Sequence, residues 1–137
     1  MTLRQLLIDD LKRDEGYRRY PYKCSAGNLT IGYGHNLEKK GISDKEAEIL
    51  LNDDIADAEM DLYKVFPDAE LFSDNRRRAF VNMVFNLGIQ GFRKFKKMIE
   101  AIKENDFDKA ADEMLDSLWH KQVGKRAERL AAMVRND

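Results

Sequence analysis

EGYRRYPYKCSAGNLTIGYGH, residues 15–35, is the stretch that decides how this 137-residue chain is read. Glu15, Cys24 and Thr30 stand nine and six residues apart, and the run closes on His35. Tyr17 to Tyr33 alternates aromatic and polar side chains, contains Pro21 and holds the turn cluster Ser25-Ala26-Gly27-Asn28, which predicts a short antiparallel hairpin. Thr30, Asn28 and Gly32 share one face of its returning strand. Gly32 and Gly34 flank Tyr33, as expected where backbone bends or passes close to another group. Upstream, Thr2 and Gln5 make a capping-box pattern, and Leu3, Leu7 and Leu11 recur at helical spacing. That helix should stop at Glu15-Gly16, which delivers an acid to its C-terminal end.

Downstream, Ser43 with Glu46 opens a second helix carrying Ala47, Leu51, Ile55, Ala58 and Leu62 to about Phe66-Pro67. Ser73 caps a third, whose centre AFVNMVFNLG is apolar on nearly every face and therefore surrounded by protein. Gly88 and Gly91 are expected to end it. Short helices follow at about 92–104, 107–116, 117–122 and 125–135. The fold class is α+β and predominantly helical, one domain over 1–137 with two unequal lobes. A small β-containing lobe is expected at about 16–60 and a helical lobe at about 1–15 and 61–137, joined by the helix from about 44 to 66. A cleft between lobes is where binding sites preferentially form.

Composition narrows the function. Apolar residues make up 43% and charged residues 36%, an ordinary folded composition. The formal net charge of −1 gives no global field for nucleic acid, so any polyanion contact is local. The basic run Arg93-Lys94, Lys96-Lys97 reads as a solvated helix face. Met1 to Arg13 lacks the apolar core of a signal peptide, and no run approaches the ~18–20 residues of a membrane span. The expectation is a cytosolic protein without stable membrane insertion. A single cysteine excludes an internal disulfide. Two scattered histidines and that cysteine make no zinc cluster, and the aspartate runs 53-54-57 and 106-108 lack calcium-loop spacing. No metal and no cofactor is expected.

The 15–35 run resembles the active-site segment of phage-type lysozymes, the endolysin muramidases of glycoside hydrolase family 24 that include the T-even phage lysozymes. Their pattern is Glu, eight residues, Asp or Cys, five residues, Thr, then IG-x-GH, and this chain matches it position by position. RRRAFVNMVFNLGIQGF, residues 76–92, is similar to their buried central helix. SLWHKQVGKRAERL, residues 117–130, is similar to their block of Trp, Gln three on, then an Arg-Ala pair. The resemblance implies a lysozyme-like form of the two-lobed fold. The departure is length: the T-even member carries an insertion where His35 here reaches Ser43 in eight residues, so the short third strand is expected to be reduced.

The implied activity is hydrolysis of the β-1,4 bond between N-acetylmuramic acid and N-acetylglucosamine in bacterial peptidoglycan, with inversion, by a monomer. Such cleavage needs a carboxylic acid still protonated near neutral pH, which partial burial favours; the negative end of a helix works in the same direction. Glu15 takes that role. Cys24 stands where most of the family has aspartate. It is read as a base or nucleophile on the far face of the sugar, as a position-filling polar residue, or as a buried small hydrophobe. Thr30 is expected to hold the attacking water, and His35 to be a structural histidine near the cleft floor. Asn82 should tie its helix to neighbouring groups, while Asn86 and Gln122 are candidates for substrate contact or support. Arg126 is carried over as the electrostatic partner of Glu15, its charge favouring the ionised acid and opposing burial. Two rivals stand beside the muramidase: a lytic transglycosylase, in which the sugar's own hydroxyl closes an anhydro product, and a non-catalytic wall-binding module.

Overall fold

The computed structural model describes residues 1–137 and divides into two compact units, Met1–Ile49 and Leu50–Asp137. In the first unit, α1 (Leu3–Glu15) starts at a full capping box: Thr2 accepts from the Gln5 amide while the Gln5 side chain accepts from Thr2. Gly16 ends it. The chain then forms β1 (Arg18–Lys23), β2 (Leu29–Gly32) and β3 (His35–Asn36), an antiparallel sheet in the order β1-β2-β3. The pairing of β1 with β2 shifts between Arg18 and Tyr22, around Pro21, which has no N–H to give the ladder. A one-turn helix, α2 (Leu37–Lys40), follows.

The hairpin predicted from Ser25–Asn28 is present and its turn is specific. The Cys24 amide donates to the Asn28 carbonyl (3.0 Å), and the Gly27 amide donates to the Cys24 carbonyl (2.8 Å). Gly27 has φ 80°, the left-handed position that closes three-residue hairpin loops and favours glycine. The third strand is reduced to two residues, as the short connection implied.

The long helix α3 (Asp44–Val65) contains the boundary between the units. Its capping box is complete: the Ser43 amide donates to Glu46 (2.8 Å) and the Glu46 amide to Ser43 Oγ (3.1 Å). In the second unit a 3-10 turn at Ala69–Leu71 leads to α4 (Asp74–Arg93), capped by Ser73. Then come α5 (Lys96–Lys103), α6 (Phe107–Leu115), α7 (Leu118–Val123) and α8 (Lys125–Asn136). As the sequence predicts, the regular helix stops at Gly88, whose φ of 73° and ψ of 167° are not helical; Gly91 lies within the short helical turn that continues to Arg93. In the first unit α1 clusters with the sheet.

The apolar core belongs to the second unit. Phe80, Met83, Val84 and Phe92 on α4 are buried, but Phe85 is 42% exposed and Asn86 is exposed, so the helix buries one side and is not surrounded on nearly every face as its apolar pattern predicted. Phe66 anchors an aromatic cluster, edge-on to Phe72 and Phe92 and tilted against Phe80 at 6.3 Å. Arg76 ties the unit's end together. Its guanidinium stacks 3.7 Å from the Phe107 ring centroid, and its Nε donates to the Val134 carbonyl.

Candidate active site

Glu15, Cys24, Thr30 and His35 all belong to the first unit. Glu15 is the last residue of α1, and its side chain lies on the backbone of the turn between β2 and β3. A Cβ built on Gly34 would stand 2.6 Å from Glu15 Oε2 and 2.8 Å from its Cδ. The close approach that Gly34 signalled in the sequence is therefore to the acid itself. The same turn is held to the end of α1 by Tyr33. Its ring stacks on Tyr17 at 5.3 Å between centroids, and Lys12 Nζ lies 5.2 Å from its centre. Sequence reasoning passed over Tyr17, Tyr33 and Lys12; the only signal was their clustering around Glu15 and Gly34.

Cys24 sits at the end of β1, half-buried, where the turn starts. Its thiolate is favoured by hydrogen bonds from the Asn28 amide, then the Ala26 amide, then the Thr30 hydroxyl, which together hold the thiol below its ordinary range. Turn amides thus supply the positive potential that a helix N-terminus supplies elsewhere. Thr30 is the fully buried polar residue of the chain, at 3% exposure. Its register partner is Tyr22, and its hydroxyl donates to the Asn28 carbonyl at 2.9 Å. A hydroxyl has one proton and two lone pairs. When Cys24 ionises, that proton can swing from Asn28 to sulfur, and a lone pair remains for a water.

His35 pairs with Ile31 in the sheet and donates from Nε2 to the Gly41 carbonyl (2.7 Å), closing the loop that leads to α3. Glu46 is held below the usual carboxylate range, first by the Ser43 amide, then by the Ser43 hydroxyl and the charge of His35.

The remaining candidates lie in the second unit, on three helices. Asn82 and Asn86 are four residues apart on α4, so they project on the same side. Asn82 Oδ1 accepts from both Nε (3.0 Å) and Nη2 (2.8 Å) of Arg126 in the first turn of α8. Asn86 Oδ1 accepts from the indole Nε1 of buried Trp119 at 2.8 Å. Arg126 and Asn82 line a groove of about 770 Å³ with Val81, Phe85 and Met133. Gln122 lines a second groove of about 590 Å³ with Leu87, Phe95 and Trp119. No three His, Cys, Asp or Glu side chains converge in a metal-binding group.

A family description, phage lysozyme, matches residues 12–136, which include every one of these positions. The chain belongs to the phage lysozyme family. Its relatives include the probable T4-type lysozyme 2 of Dictyostelium discoideum, 30% identical over 93% of this chain and 92% of that protein. The endolysin of Acyrthosiphon pisum secondary endosymbiont phage 1 is 32% identical over 85% of this chain and 80% of its own length. The pre-baseplate central spike protein Gp5 of Enterobacteria phage T4 is 31% identical over 93% of this chain, which spans 27% of the spike protein. Membership makes this a lysozyme-type enzyme, of the kind that lyses peptidoglycan. No helix is long and apolar enough to cross a membrane.

Proposed function

We propose that this phage lysozyme-family chain is a muramidase acting on the β-1,4 bond between N-acetylmuramic acid and N-acetylglucosamine, with inversion at the anomeric carbon. The observation that carries the reading is the Glu15 carboxyl packed on Gly34, in the same unit as the hairpin whose turn starts at Cys24 and which buries Thr30; hydrogen bonding at that turn, which lowers the Cys24 pKa, supports it. Glu15 gives its proton to the leaving oxygen as the glycosidic bond breaks. Thr30 orients a water, Cys24 takes the water's proton, and the hydroxyl adds to the anomeric carbon. One water is consumed and both groups end in the opposite protonation state, to be reset by solvent. Inversion calls for acid and base ~6.5–9.5 Å apart, leaving room for that water.

Around that chemistry, Arg126, held by Asn82, is proposed to have an electrostatic role. Gln122 and Asn86 support the sugar site, His35 shapes the floor, and the enzyme works as a monomer. The test is digestion of purified peptidoglycan with mass spectrometry of the soluble fragments. Products that gain one water and carry a reducing muramic acid end are expected, and Glu15→Gln should abolish them. Anhydro ends would replace hydrolysis with transglycosylation; wall binding without soluble products would leave a binding module.

A further inference from the structure

Lys12 stands one helical turn before Glu15, where side chains three apart are neighbours. An ammonium there is the obvious ion-pair partner for the carboxylate, and such a pair favours the ionised form. The chain does not use it that way. Lys12 Nζ is over the Tyr33 ring, 5.2 Å from its centroid, a position in which the ring quadrupole attracts the cation. Several other cations near the end of α1 and on the sheet are engaged elsewhere. Arg13 pairs with Asp10 and Asp14. Arg18 lies over Tyr22 at 4.7 Å and Arg19 over Tyr20 at 5.7 Å. His35 donates to Gly41. Tyr33 also stacks on Tyr17, so its ring is gripped by residues on both sides of Glu15 in the chain. Gly34, on which the carboxyl rests, is the next residue.

On the reading that Glu15 is the catalytic acid, we infer that Tyr33 is a positioning residue for it. The ring withholds the Lys12 ammonium from the carboxyl and, with Tyr17, fixes the end of α1 on the Tyr33–Gly34 turn. A cation and an acid one turn apart on an exposed helix would otherwise meet and draw the carboxyl off the turn. The hydroxyl of Tyr33 has no part in this; the π face does.

The experiment is steady-state kinetics on soluble peptidoglycan fragments, for wild type, Glu15→Gln, Tyr33→Phe, Tyr33→Leu and Tyr33→Leu with Lys12→Gln. Tyr33→Leu should lower kcat roughly tenfold with KM within about twofold, as expected when an acid is misplaced and substrate binding is not. Tyr33→Phe should recover the loss, and Lys12→Gln added to Tyr33→Leu should return part of kcat. Tyr33 is 48% exposed, so its replacement leaves the core intact. Tyr33→Met repeats the test with a different side-chain shape should the leucine variant not fold. Wild-type kcat in Tyr33→Leu would overturn the inference. So would a loss that falls on KM, or one that Tyr33→Phe shares. A wild type without turnover would instead retire the muramidase reading. Turnover that Glu15→Gln abolishes and Tyr33→Leu leaves intact would retire Tyr33 alone.

Discussion

The Glu15 carboxyl rests on the α-carbon of Gly34, so closely that a single added methyl would lie 2.6 Å from Oε2. Nineteen residues separate the two in the chain, and the hairpin between them brings the acid at the end of α1 onto its far turn. Glu15 is nevertheless exposed, rather than partly buried as the sequence predicts; the turn touches only one side of the carboxyl, and it can do so only where no side chain intervenes.

Gly34→Ala should therefore act on the chemistry before it acts on stability. Gly34 has φ 69°, a conformation that costs an L-residue about 1–2 kcal/mol, and the new Cβ displaces the carboxyl by an ångström or so. A misplacement of that size costs on the order of a hundredfold in rate. Muropeptide release should fall by about that factor, while circular dichroism shows the helical content retained. Release within a few-fold of wild type would show that the acid does not need this contact.

Cys24 offers a direct titration. Hydrogen bonds from Asn28, Ala26 and Thr30 lower its pKa, so the thiolate population, and with it the rate of alkylation, should rise at lower pH than for a free thiol near ~8.5. Thr30→Val removes one donor of the thiolate, and the alkylation midpoint should then move upward toward the free-thiol value while the two turn amides keep part of the shift. The readout is the iodoacetamide rate against pH, followed by mass spectrometry. A midpoint at or above that of an unstructured peptide would contradict the thiolate cradle and remove the base from the proposed mechanism. Complete modification should also stop turnover without unfolding the protein.

Local patterns made most of the elements legible. The capping boxes at Thr2 and Ser43, the apolar centre of α4 and the turn cluster at Gly27 are short-range signals whose physics is contained in a few neighbouring residues. What stayed hidden was set by contacts distant in the chain. Gly88 ends the regular helix as its sequence predicts, but the extra turn to Arg93 that carries buried Phe92 was not readable beside it. Within the candidate site, the spacing of Glu15, Cys24 and Thr30 was readable as a motif. The partners were not: nothing in the string says that Lys12 turns to Tyr33, that Asn86 receives the Trp119 indole, or that Arg126 is held at Asn82. Polar side chains choose among many partners by geometry that only the folded backbone supplies.

Phe80 reports on the core. It is fully buried, at 0% exposure, and touches both Phe66 and Phe72 of the aromatic cluster. Phe80→Ala deletes a buried ring and leaves a cavity, a change that costs about 3–5 kcal/mol. Urea unfolding followed through the Trp119 signal, which reports on the same unit, should show a lower midpoint with an unchanged slope. A loss below about 1 kcal/mol would mean that the site collapses around the missing ring.

Asn82 and Arg126 form the most demanding polar contact of the second unit. One carboxamide oxygen accepts two guanidinium hydrogens at 3.0 and 2.8 Å, and both residues are half-buried. Asn82→Ala leaves the guanidinium without that acceptor, at a cost of about 1–3 kcal/mol. Asn82→Asp keeps the acceptor and adds a charge, so stability should be retained or improved at neutral pH. Activity separates the roles. Were Arg126 only a brace for α8, the aspartate variant would turn over like wild type. Were its charge also used in catalysis, a neighbouring carboxylate would neutralise part of its field, and kcat should fall severalfold. Arg126→Lys should not substitute in either role, because an ammonium cannot reproduce the fork that engages Asn82 through two nitrogens. Unchanged stability in Asn82→Ala, with unchanged turnover in Asn82→Asp, would remove this pair from both the fold's support and the proposed electrostatic role.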